Sequence, residues 1–450
     1  NVIFILSDDH RYDFMGFMDT PKFLETPALD RMAEQGAHLQ NAFVTTSLCS
    51  PSRASILTGM YPAKHGVVDN DSPLPDGNTF FPEYLQKSGY KTAFMGKWHM
   101  GNSGDEPQPG FDHWVSFAGQ GVYYDPKLNV DGKRIESKGY ITDLLTDYAV
   151  NWIEKQGETP FFLYLSHKAV HAEFQPAKRH HGKYDNVKLD YPASMANTEE
   201  NYRDKPQWVR DQRNSWHGVD FLFHGQMDFD TFYRRYCETL LAVDESVAKI
   251  FDTLEKNGML ESTLVIYMGD NGFCFGEHGL IDKRHAYEES MRIPLLAHCP
   301  ELIAPGTKIP QMLLNIDIAP TILATAGVPT PAEMDGTSFL PLLRGEPVEW
   351  RKEFFYVYYW ERPFPHTPTM FALRTDRYKY ITYHGIWDID ELYDLQNDPY
   401  EMKNLIKDEA YREQIIDYRK RIFDWLENTN STCISVKRSG LWQAADRKQM

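Results

Sequence analysis

Five short segments of the chain are apolar at nearly every position. They comprise residues 2–6, 92–95, 161–165, 264–268 and 293–297. A half-exposed strand alternates apolar and polar side chains, whereas a strand covered on both faces is apolar throughout. The pattern therefore predicts strands that are buried in the middle of a layered fold.

Helical patterns lie between these segments and have recognisable ends. One is expected to begin at Thr26-Pro27 and end at Gly36, a second covers residues 141–156, and the longest covers residues 232–257 before Gly258. A cap residue, a proline in the first turn and a glycine after the last turn are typical helix boundaries. The alternation of strands and helices predicts an α/β fold, with a mostly parallel central sheet sandwiched by helices.

The pattern changes in two places. Residues 171–230 are polar and aromatic with little periodicity, which is typical of a functional loop region. Further on, residues 354–360 and 371–383 predict antiparallel strands, and residues 409–427 predict a helix. We therefore expect a large N-terminal domain and a smaller C-terminal α+β subdomain with an antiparallel sheet, over residues 1–347 and 348–450.

The charge of the chain restricts its partners. Its 450 residues include 47 basic and 64 acidic ones, a net charge of −17 with histidines neutral. Duplex nucleic acid requires a basic surface, so we expect no nucleic-acid partner. A small anionic substrate is still compatible with this balance if cations converge in one pocket. No apolar run approaches the roughly 18 residues of a membrane span, and five scattered cysteines do not form a disulfide framework.

Polar residues follow two of the predicted strands directly. Asp8 and Asp9 come after residues 2–6, and Asp270 and Asn271 come after residues 264–268. Ligands of open α/β sheets bind at the carboxyl ends of the strands. Three carboxylates and an amide form a hard oxygen donor set suited to Ca²⁺ or Mg²⁺. The alternative is that these residues only cap helices and form turns.

Cys49 precedes a third helical pattern. Ser50 is a suitable N-cap and Pro51 a suitable first residue, so Cys49 is expected just before the helix N-terminus, with Arg53 in the first turn. The helix dipole and its free N–H groups favour negative charge at that point. Cys49 is therefore either a reactive group beside an anion site, such as a low-pKa thiolate, or an ordinary packed cysteine.

The segment around this cysteine resembles the signature of the type I sulfatases, a family of the alkaline-phosphatase-like superfamily. It consists of Cys49-Ser50-Pro51-Ser52-Arg53, followed by Leu57-Thr58-Gly59. Four further segments match motifs of that family: Asp8-Asp9, Gly96-Lys97-Trp98-His99, Gly269-Asp270-Asn271-Gly272 and Asp282-Lys283-Arg284 with Tyr287-Glu288-Glu289. In the family the cysteine is converted to formylglycine, an aldehyde.

The resemblance implies a role for each matched polar residue. Ca²⁺, with Mg²⁺ as the alternative, would be bound by Asp8, Asp9, Asp270, Asn271 and the modified Cys49. The hydrated aldehyde at Cys49 would supply the attacking oxygen. The other catalytic residues would be Arg53 beside that oxygen, Lys97 and Lys283 on the sulfate, His99 at the diol, and His171 as the acid that protonates the leaving alcohol. His167 is the alternative to His171.

These residue types suit the hydrolysis of a sulfate ester. The ester is an anion, so nucleophilic attack requires neutralisation by a metal, arginine and lysine. An alcohol is a poor leaving group until it is protonated, which calls for a general acid such as histidine. The alternatives are a phosphate or phosphonate ester hydrolase of the same superfamily and a carbohydrate-binding homologue without catalysis.

The general layout, including Ile281-Asp282-Lys283-Arg284, is most similar to glucosamine-6-sulfatases. The expected substrate is therefore the 6-O-sulfate of N-acetylglucosamine in a glycosaminoglycan or other glycan. Other sugar sulfates, aryl sulfates and choline sulfate are the alternatives. The resemblance also implies a formylglycine-generating enzyme as maturation partner. It further implies export to the periplasm, cell surface or lysosome, with the signal peptide absent from this sequence.

Overall fold

A computed structural model of the protein describes residues 1–100 and 104–433. None of the helices in these two ranges is long and apolar enough to cross a membrane. The end of the expected C-terminal subdomain, residues 434–450, lies outside the described residues.

The strands fall into a large sheet, a small two-stranded sheet and a C-terminal sheet. The large sheet contains β1 (Val2–Ser7), β2 (Ala37–Phe43), β3 (Lys91–Lys97), β4 (His113–Phe117), β5 (Lys127–Val130), β6 (Lys133–Glu136), β7 (Phe161–Ser166), β8 (Leu264–Gly269), β11 (Arg292–Ile293), β12 (Leu295–His298) and β13 (Thr307–Leu314). The two-stranded sheet contains β9 (Cys274–Phe275) and β10 (Ile281–Asp282). The C-terminal sheet contains β14 (Glu353–Tyr358), β15 (Thr369–Thr375), β16 (Tyr378–His384) and β17 (Glu391–Asp394).

The helices connect and cover these sheets. They are α1 (Pro27–Gln35), α2 (Cys49–Thr58), α3 (Pro62–His65), α4 (Phe81–Lys87), α5 (Ile141–Ile153), α6 (Glu199–Tyr202), α7 (Gln207–Asp211), α8 (Phe229–Lys256), α9 (Glu288–Met291), α10 (Ile318–Thr325), α11 (Leu340–Leu343) and α12 (Arg412–Asn428). The polar and aromatic region 171–230 contains only short helices, including α6 and α7.

The large sheet is parallel at its centre and mixed towards its ends. The neighbouring strands β8, β1, β7, β3 and β4 are all parallel. On one side β5 and β6 are antiparallel, and on the other β12 runs antiparallel to both β8 and β2. The apolar segment 293–297 is divided at Pro294 into β11 and β12. The mostly parallel sheet predicted from the sequence is thus confirmed.

Both faces of the central strands β1, β7 and β8 are buried, as the uninterrupted apolar segments predict. In β1, Ile3 and Ile5 belong to a hydrophobic cluster that includes residues of α5 and α8. Phe4, between them, belongs to a second cluster that includes residues of α2 and α10. Alternate side chains of one strand therefore pack against helices on opposite sides, which is the sandwich expected of an α/β fold.

Two helix beginnings differ in detail from the sequence-based expectation. The longest helix, α8, begins three residues earlier than predicted because Asp228 accepts a hydrogen bond from the N–H of Thr231. Thr26 precedes α1 but its side chain does not cap that helix. The carboxylate of Asp244, on α8, accepts hydrogen bonds from the N–H groups of Ala28 and Leu29 instead.

The C-terminal sheet lies between α12 and the large domain. One of its faces, including Val357 and Leu373, packs against Ile422 of α12. The other face, including Tyr356, belongs to a cluster with Phe43 of the large sheet. The segment 371–383, expected as a strand, forms β15 and β16 in an antiparallel pair. The domain boundary at residues 347 and 348 remains a prediction.

Candidate active site

The polar ends of β1 and β8 lie side by side. The parallel register pairs Leu6 with Met268 and Ser7 with Gly269, so the residues that follow emerge at the same edge of the sheet. The N–H of Asp9 donates to Asp270 Oδ1 at 2.9 Å, and Asn271 Nδ2 donates to Asp9 Oδ1 at 2.7 Å. The sequence-predicted ligands are therefore brought together by the pairing of strands that are about 260 residues apart.

This group of side chains suits a divalent cation. Ligand atoms of Asp8, Asp9 and Asp270 all lie within 4.8 Å of one another. Asp9 Oδ2 and Asn271 Oδ1 are buried and have no hydrogen-bond partner. Burial, followed by the neighbouring carboxylates, raises the pKa of Asp9 to about 7 despite the opposing effect of Lys283. Unpartnered oxygens and crowded carboxylates are what a hard cation such as Ca²⁺ or Mg²⁺ would stabilise.

Arg53 joins the two strand ends. Its Nη2 donates to Asp8 Oδ2 at 2.9 Å and its Nε donates to Asp270 Oδ2 at 3.0 Å. Its Nη1 donates to Ser166 Oγ at 2.6 Å, at the end of β7. The guanidinium is fully buried, so it contributes a fixed positive charge at the edge where three parallel strands end.

Two lysines complete the positive charge of the site. Lys97, at the end of β3, donates to Asp8, and Lys283 donates to Asp9. Burial alone would raise the pKa of Asp8, but Lys97 and Arg53 outweigh it and hold that pKa well below its usual range. Gly96, before Lys97, allows β3 to approach β7 closely, since a Cβ there would lie 1.7 Å from Ser166 O.

Cys49 lies against the same carboxylates but differs in position from the expectation. It is the first residue of α2, whose N-cap is Leu48, so the helix begins two residues earlier than predicted and Ser50 is not its cap. The Ser50 hydroxyl donates to the carbonyl of His99 instead. Cys49 Sγ donates to Asp8 Oδ1 at 3.7 Å. Burial, and then Asp8, raise the pKa of this thiol to about 12, which disfavours the thiolate alternative.

The two predicted histidines flank this centre. His99 Nε2 lies 3.2 Å from Gln120 Nε2, and its Nδ1 lies 3.5 Å from Ser50 Oγ. His171 Nε2 lies 3.9 Å from Asp9 Oδ2, on the wall of an open pocket. His167 is buried away from this pocket, with its Nε2 3.1 Å from Ser246 Oγ. The geometry therefore favours His171 over His167 as a group that could reach a substrate.

The pocket above the site has a volume of about 470 Å³. It includes polar residues that the sequence analysis did not single out, namely Asn70, Gln120 and Lys168. Gln120 Oε1 accepts from Lys97 Nζ, and burial, then Lys97, lower the pKa of Lys168 to about 8. Gln120 follows the carboxyl end of β4 by three residues, so its position after a buried strand is the signal that could have identified it.

A cluster of oxygen ligands, three buried cations and an adjacent histidine define a metal-dependent hydrolase of an anionic ester. Comparisons specify the family. Residues 1–328 match the family model described as Sulfatase, and residues 276–428 match one described as N-sulphoglucosamine sulphohydrolase, C-terminal. The chain therefore belongs to the sulfatase family, within the alkaline-phosphatase-like superfamily, and is a sulfuric ester hydrolase. Members of this family generally use a metal and formylglycine.

Individual relatives cover most of the chain. An N-acetylglucosamine-6-O-sulfatase of Bacteroides thetaiotaomicron is 34% identical over 95% of this chain and 86% of its own. The human N-acetylglucosamine-6-sulfatase is 32% identical over 80% of this chain and 67% of its own. A solved structure of a protein in complex with its substrate D-glucosamine-2-N,6-O-disulfate is 32% identical, with a TM-score of 0.88 over 96% of this chain and 98% of the other.

Proposed function

We propose that the protein removes the 6-O-sulfate of N-acetylglucosamine or of a related glucosamine in a glycan. The observation that carries this proposal is the solved structure with D-glucosamine-2-N,6-O-disulfate, because its likeness extends over nearly the whole of both chains. The two N-acetylglucosamine-6-sulfatases at 34% and 32% identity support the same sugar and the same sulfate position. A glycan sulfate also suits the open pocket, which is lined by polar residues that include Asp9, His171 and Lys283.

The proposed metal is Ca²⁺, bound by Asp8, Asp9, Asp270, Asn271 and the modified Cys49. When bound, the metal would neutralise negative charge on the sulfate and on the attacking oxygen. Oxygen ligands, including one neutral amide, are what Ca²⁺ and Mg²⁺ prefer, whereas zinc sites usually include histidine nitrogen or cysteine sulfur. The unpartnered oxygens of Asp9 and Asn271 support this ligand set.

The proposed catalytic residues act on three parts of the reaction. Formylglycine at position 49 would supply a hydrated aldehyde as nucleophile. Arg53 would stabilise the attacking oxygen and His99 would accept a proton there, while Lys97 and Lys283 would bind sulfate oxygens. His171 lies on the pocket wall and would donate a proton to the oxygen of the leaving alcohol.

The second candidate is hydrolysis of phosphate or phosphonate esters. A phosphonate monoester hydrolase of Agrobacterium radiobacter has a TM-score of 0.78, but its identity of 21% indicates only a shared fold. A two-zinc phosphatase would need further histidine and carboxylate ligands beside the first set. Within residues 1–100 and 104–433, the candidate ligand groups at this edge are Asp8-Asp9-Asp270 and Asp8-Cys49-His171, so the second group contributes no carboxylate of its own.

Sulfate release tests the proposal directly. The protein, produced together with a formylglycine-generating enzyme, is offered sulfated monosaccharides that differ in sugar and position, together with matching phosphate esters. We expect release from 6-sulfated glucosamines and little turnover of phosphates. Cys49→Ala should abolish release, whereas Cys433→Ala, outside the site, should retain it. Selective turnover of phosphate esters, or wild-type release by Cys49→Ala, would refute the proposal.

The metal is tested separately by elemental analysis. We expect about one calcium per chain, since the oxygen-rich group of Asp8, Asp9 and Asp270 suits one hard cation. Asp270→Ala should lose this calcium, whereas Asp335→Ala, a partly exposed carboxylate elsewhere, should keep it. A wild-type calcium content in Asp270→Ala would show that the metal binds elsewhere.

The proposed maturation partner is a formylglycine-generating enzyme, and the proposed location is outside the cytoplasm. Relatives named as extracellular sulfatases in Caenorhabditis elegans and Drosophila melanogaster support the proposed location.

Mass spectrometry of the tryptic peptide containing residue 49 tests the proposed maturation, because conversion of the thiol to the aldehyde lowers the peptide mass. A fully unmodified thiol in active enzyme would contradict it.

A further inference from the structure

A second pocket adjoins the active-site pocket. It has a volume of about 400 Å³ and is formed by two segments that are distant in sequence, residues 212–221 and residues 363–367. Trp216 and Phe364 line both pockets, so these two rings form the boundary between them. A ligand that leaves the active-site pocket past these rings would enter the second pocket directly.

Contacts with buried side chains fix the position of the wall between the two pockets. The Phe364 ring lies 4.1 Å from the guanidinium carbon of Arg284 and packs against the buried His217 ring at 4.6 Å. Gln212 Nε2 donates to Thr367 Oγ1 at 2.7 Å, and this buried bond ties the two segments together. The second pocket is therefore a formed cavity with fixed walls rather than a gap between unrelated loops.

The chemistry of the second pocket fits a neutral sugar. Exposed aromatic rings of Trp216 and Phe221 offer flat apolar faces, and Asn214 and His366 offer hydrogen-bonding groups. A pyranose presents C–H groups on its faces and hydroxyls around its edge, which matches a lining of that kind. Of the described residues that line this pocket, none is Lys, Arg, Asp or Glu. A uronic acid would find no lysine or arginine partner among the described residues of this lining, whereas an uncharged hexose or hexosamine needs none.

We infer that this second pocket is a subsite for a neutral sugar linked glycosidically to the sulfated one. The inference rests on the proposed function, since it requires a sulfated glucosamine in the first pocket. It adds that the preferred substrate is an oligosaccharide whose neighbouring residue is an uncharged hexose, and that binding this residue contributes to the rate.

Rates on three matched probes test the subsite. The probes are the methyl glycoside of N-acetylglucosamine-6-O-sulfate, the same sugar linked to galactose, and the same sugar linked to glucuronic acid. We expect kcat/KM for the galactose-linked probe to exceed that for the methyl glycoside by about tenfold, a factor typical of one added aromatic contact. We expect no such gain for the glucuronate-linked probe.

Variants of residues that line only the second pocket test whether the gain in kcat/KM arises in that pocket. Phe221→Ala and His366→Ala should remove the advantage of the galactose-linked probe and leave the methyl glycoside rate within about twofold. Phe423→Ala, an exposed phenylalanine of α12 outside both pockets, is the matched control and should change neither rate. Trp216 and Phe364 are unsuitable for this comparison because they also line the active-site pocket.

The outcomes separate the two proposals. Equal rates on all three probes, a preference for glucuronate, or an equal loss on every probe in Phe221→Ala would overturn the subsite and leave the proposed function standing. Absence of release from every 6-sulfated glucosamine, with release from another sulfated sugar, would overturn the proposed function and the subsite together.

Discussion

Single residues at the carboxyl edge of the sheet have separable roles. Arg53 is fully buried and bonds to Asp8 and Asp270, whereas His171 lies at the pocket wall with its Nε2 3.9 Å from Asp9. Arg53 therefore supports both the electrostatics and the stability of the site. In the proposed mechanism His171 would act on the leaving group.

Replacement of Arg53 should destabilise the fold as well as the reaction. Arg53→Ala leaves two buried carboxylates without their shared cation, and we expect a loss of about 3–5 kcal/mol in the free energy of unfolding. Arg53→Lys keeps the charge but not the fork of donors, so its loss should be smaller. Denaturant unfolding measures both variants, with Arg344→Lys as a half-exposed control. Wild-type stability in Arg53→Ala would contradict this assignment.

Replacement of His171 should depend on the leaving group. A general acid matters most when the departing oxygen is strongly basic, so His171→Ala should lower kcat on a sugar sulfate by about 10²–10⁴-fold. The loss on 4-nitrophenyl sulfate should be much smaller, because that phenolate leaves without a proton. His167→Ala should affect both substrates alike. Equal losses on the two substrates in His171→Ala would exclude it as the acid.

At the scale of elements, α1 illustrates a cap supplied from elsewhere in the chain. Its first N–H groups are bound by Asp244 of α8, about 216 residues away, and not by the adjacent Thr26. Burial raises the pKa of Asp244 to about 7, although the hydrogen bonds from Leu29 and Ala28 oppose the shift. The cap thus couples the position of α1 to that of α8.

Removal of this cap gives a prediction for stability. Asp244→Ala should lower the free energy of unfolding by about 1–2 kcal/mol, and Asp244→Asn by less because it retains an acceptor. The pKa of Asp244 is raised on folding, so the native state binds more protons between about pH 4 and pH 7, and stability from this group declines as pH rises through that window. Thermal unfolding of the wild type and of Asp244→Asn should therefore diverge across this range. Parallel curves would contradict the assignment.

The sequence allowed prediction of the elements whose burial is uniform. β1 and β8 are apolar at every core position, and the polar residues that follow them could be assigned to one edge by the parallel topology. β2 (Ala37–Phe43) could not be predicted, because His38, Gln40 and Asn41 interrupt its apolar pattern. Its place in the sheet depends on partners that follow it by more than 250 residues, β12 and β13.

The residues of the candidate active site also divide into those that the local sequence identifies and those that it does not. Residues within family motifs, such as Lys97 and Arg53, could be proposed from the sequence because their neighbours along the chain identify them. Asn70 and Phe364 could not, since nothing near them in sequence indicates which pocket they line. Their position is set by packing between segments that lie far apart, and no local pattern of the chain encodes that packing.

At the scale of the whole molecule, buried charges join the large domain to the C-terminal sheet. Glu288, on α9, accepts from Arg374 and Lys379, and Glu401 Oε2 accepts from the N–H of Glu288 at 2.8 Å. Lys379 Nζ lies 2.6 Å from Glu401. The motif Tyr287-Glu288-Glu289, matched above to the sulfatases, therefore lies at the junction of the two parts of the molecule.

This junction should make stability sensitive to pH. Burial, then Glu277, raise the pKa of Glu289 to about 8, and burial raises that of Glu401 to about 7. Both values exceed those of the unfolded chain, so the native state binds extra protons and its stability declines as pH rises from about 5 to 8. Thermal unfolding of the wild type and of Glu289→Gln should therefore diverge over this range, with the wild type losing stability relative to the variant as pH rises. Parallel profiles of the two proteins would contradict this role of the junction.

The position of β1 at the centre of the large sheet has a consequence for biosynthesis. This strand is made before both of its neighbours, β7 and β8, and β8 follows it by more than 250 residues. At translation rates of about 5–20 residues per second, β1 waits roughly 13–50 s for its second partner. Until then its apolar faces and unpaired backbone remain exposed, so the nascent chain needs shielding for most of its synthesis. Assembly of the carboxylate cluster at the ends of β1 and β8 is correspondingly a late event, because it requires both neighbours of β1 to have been made.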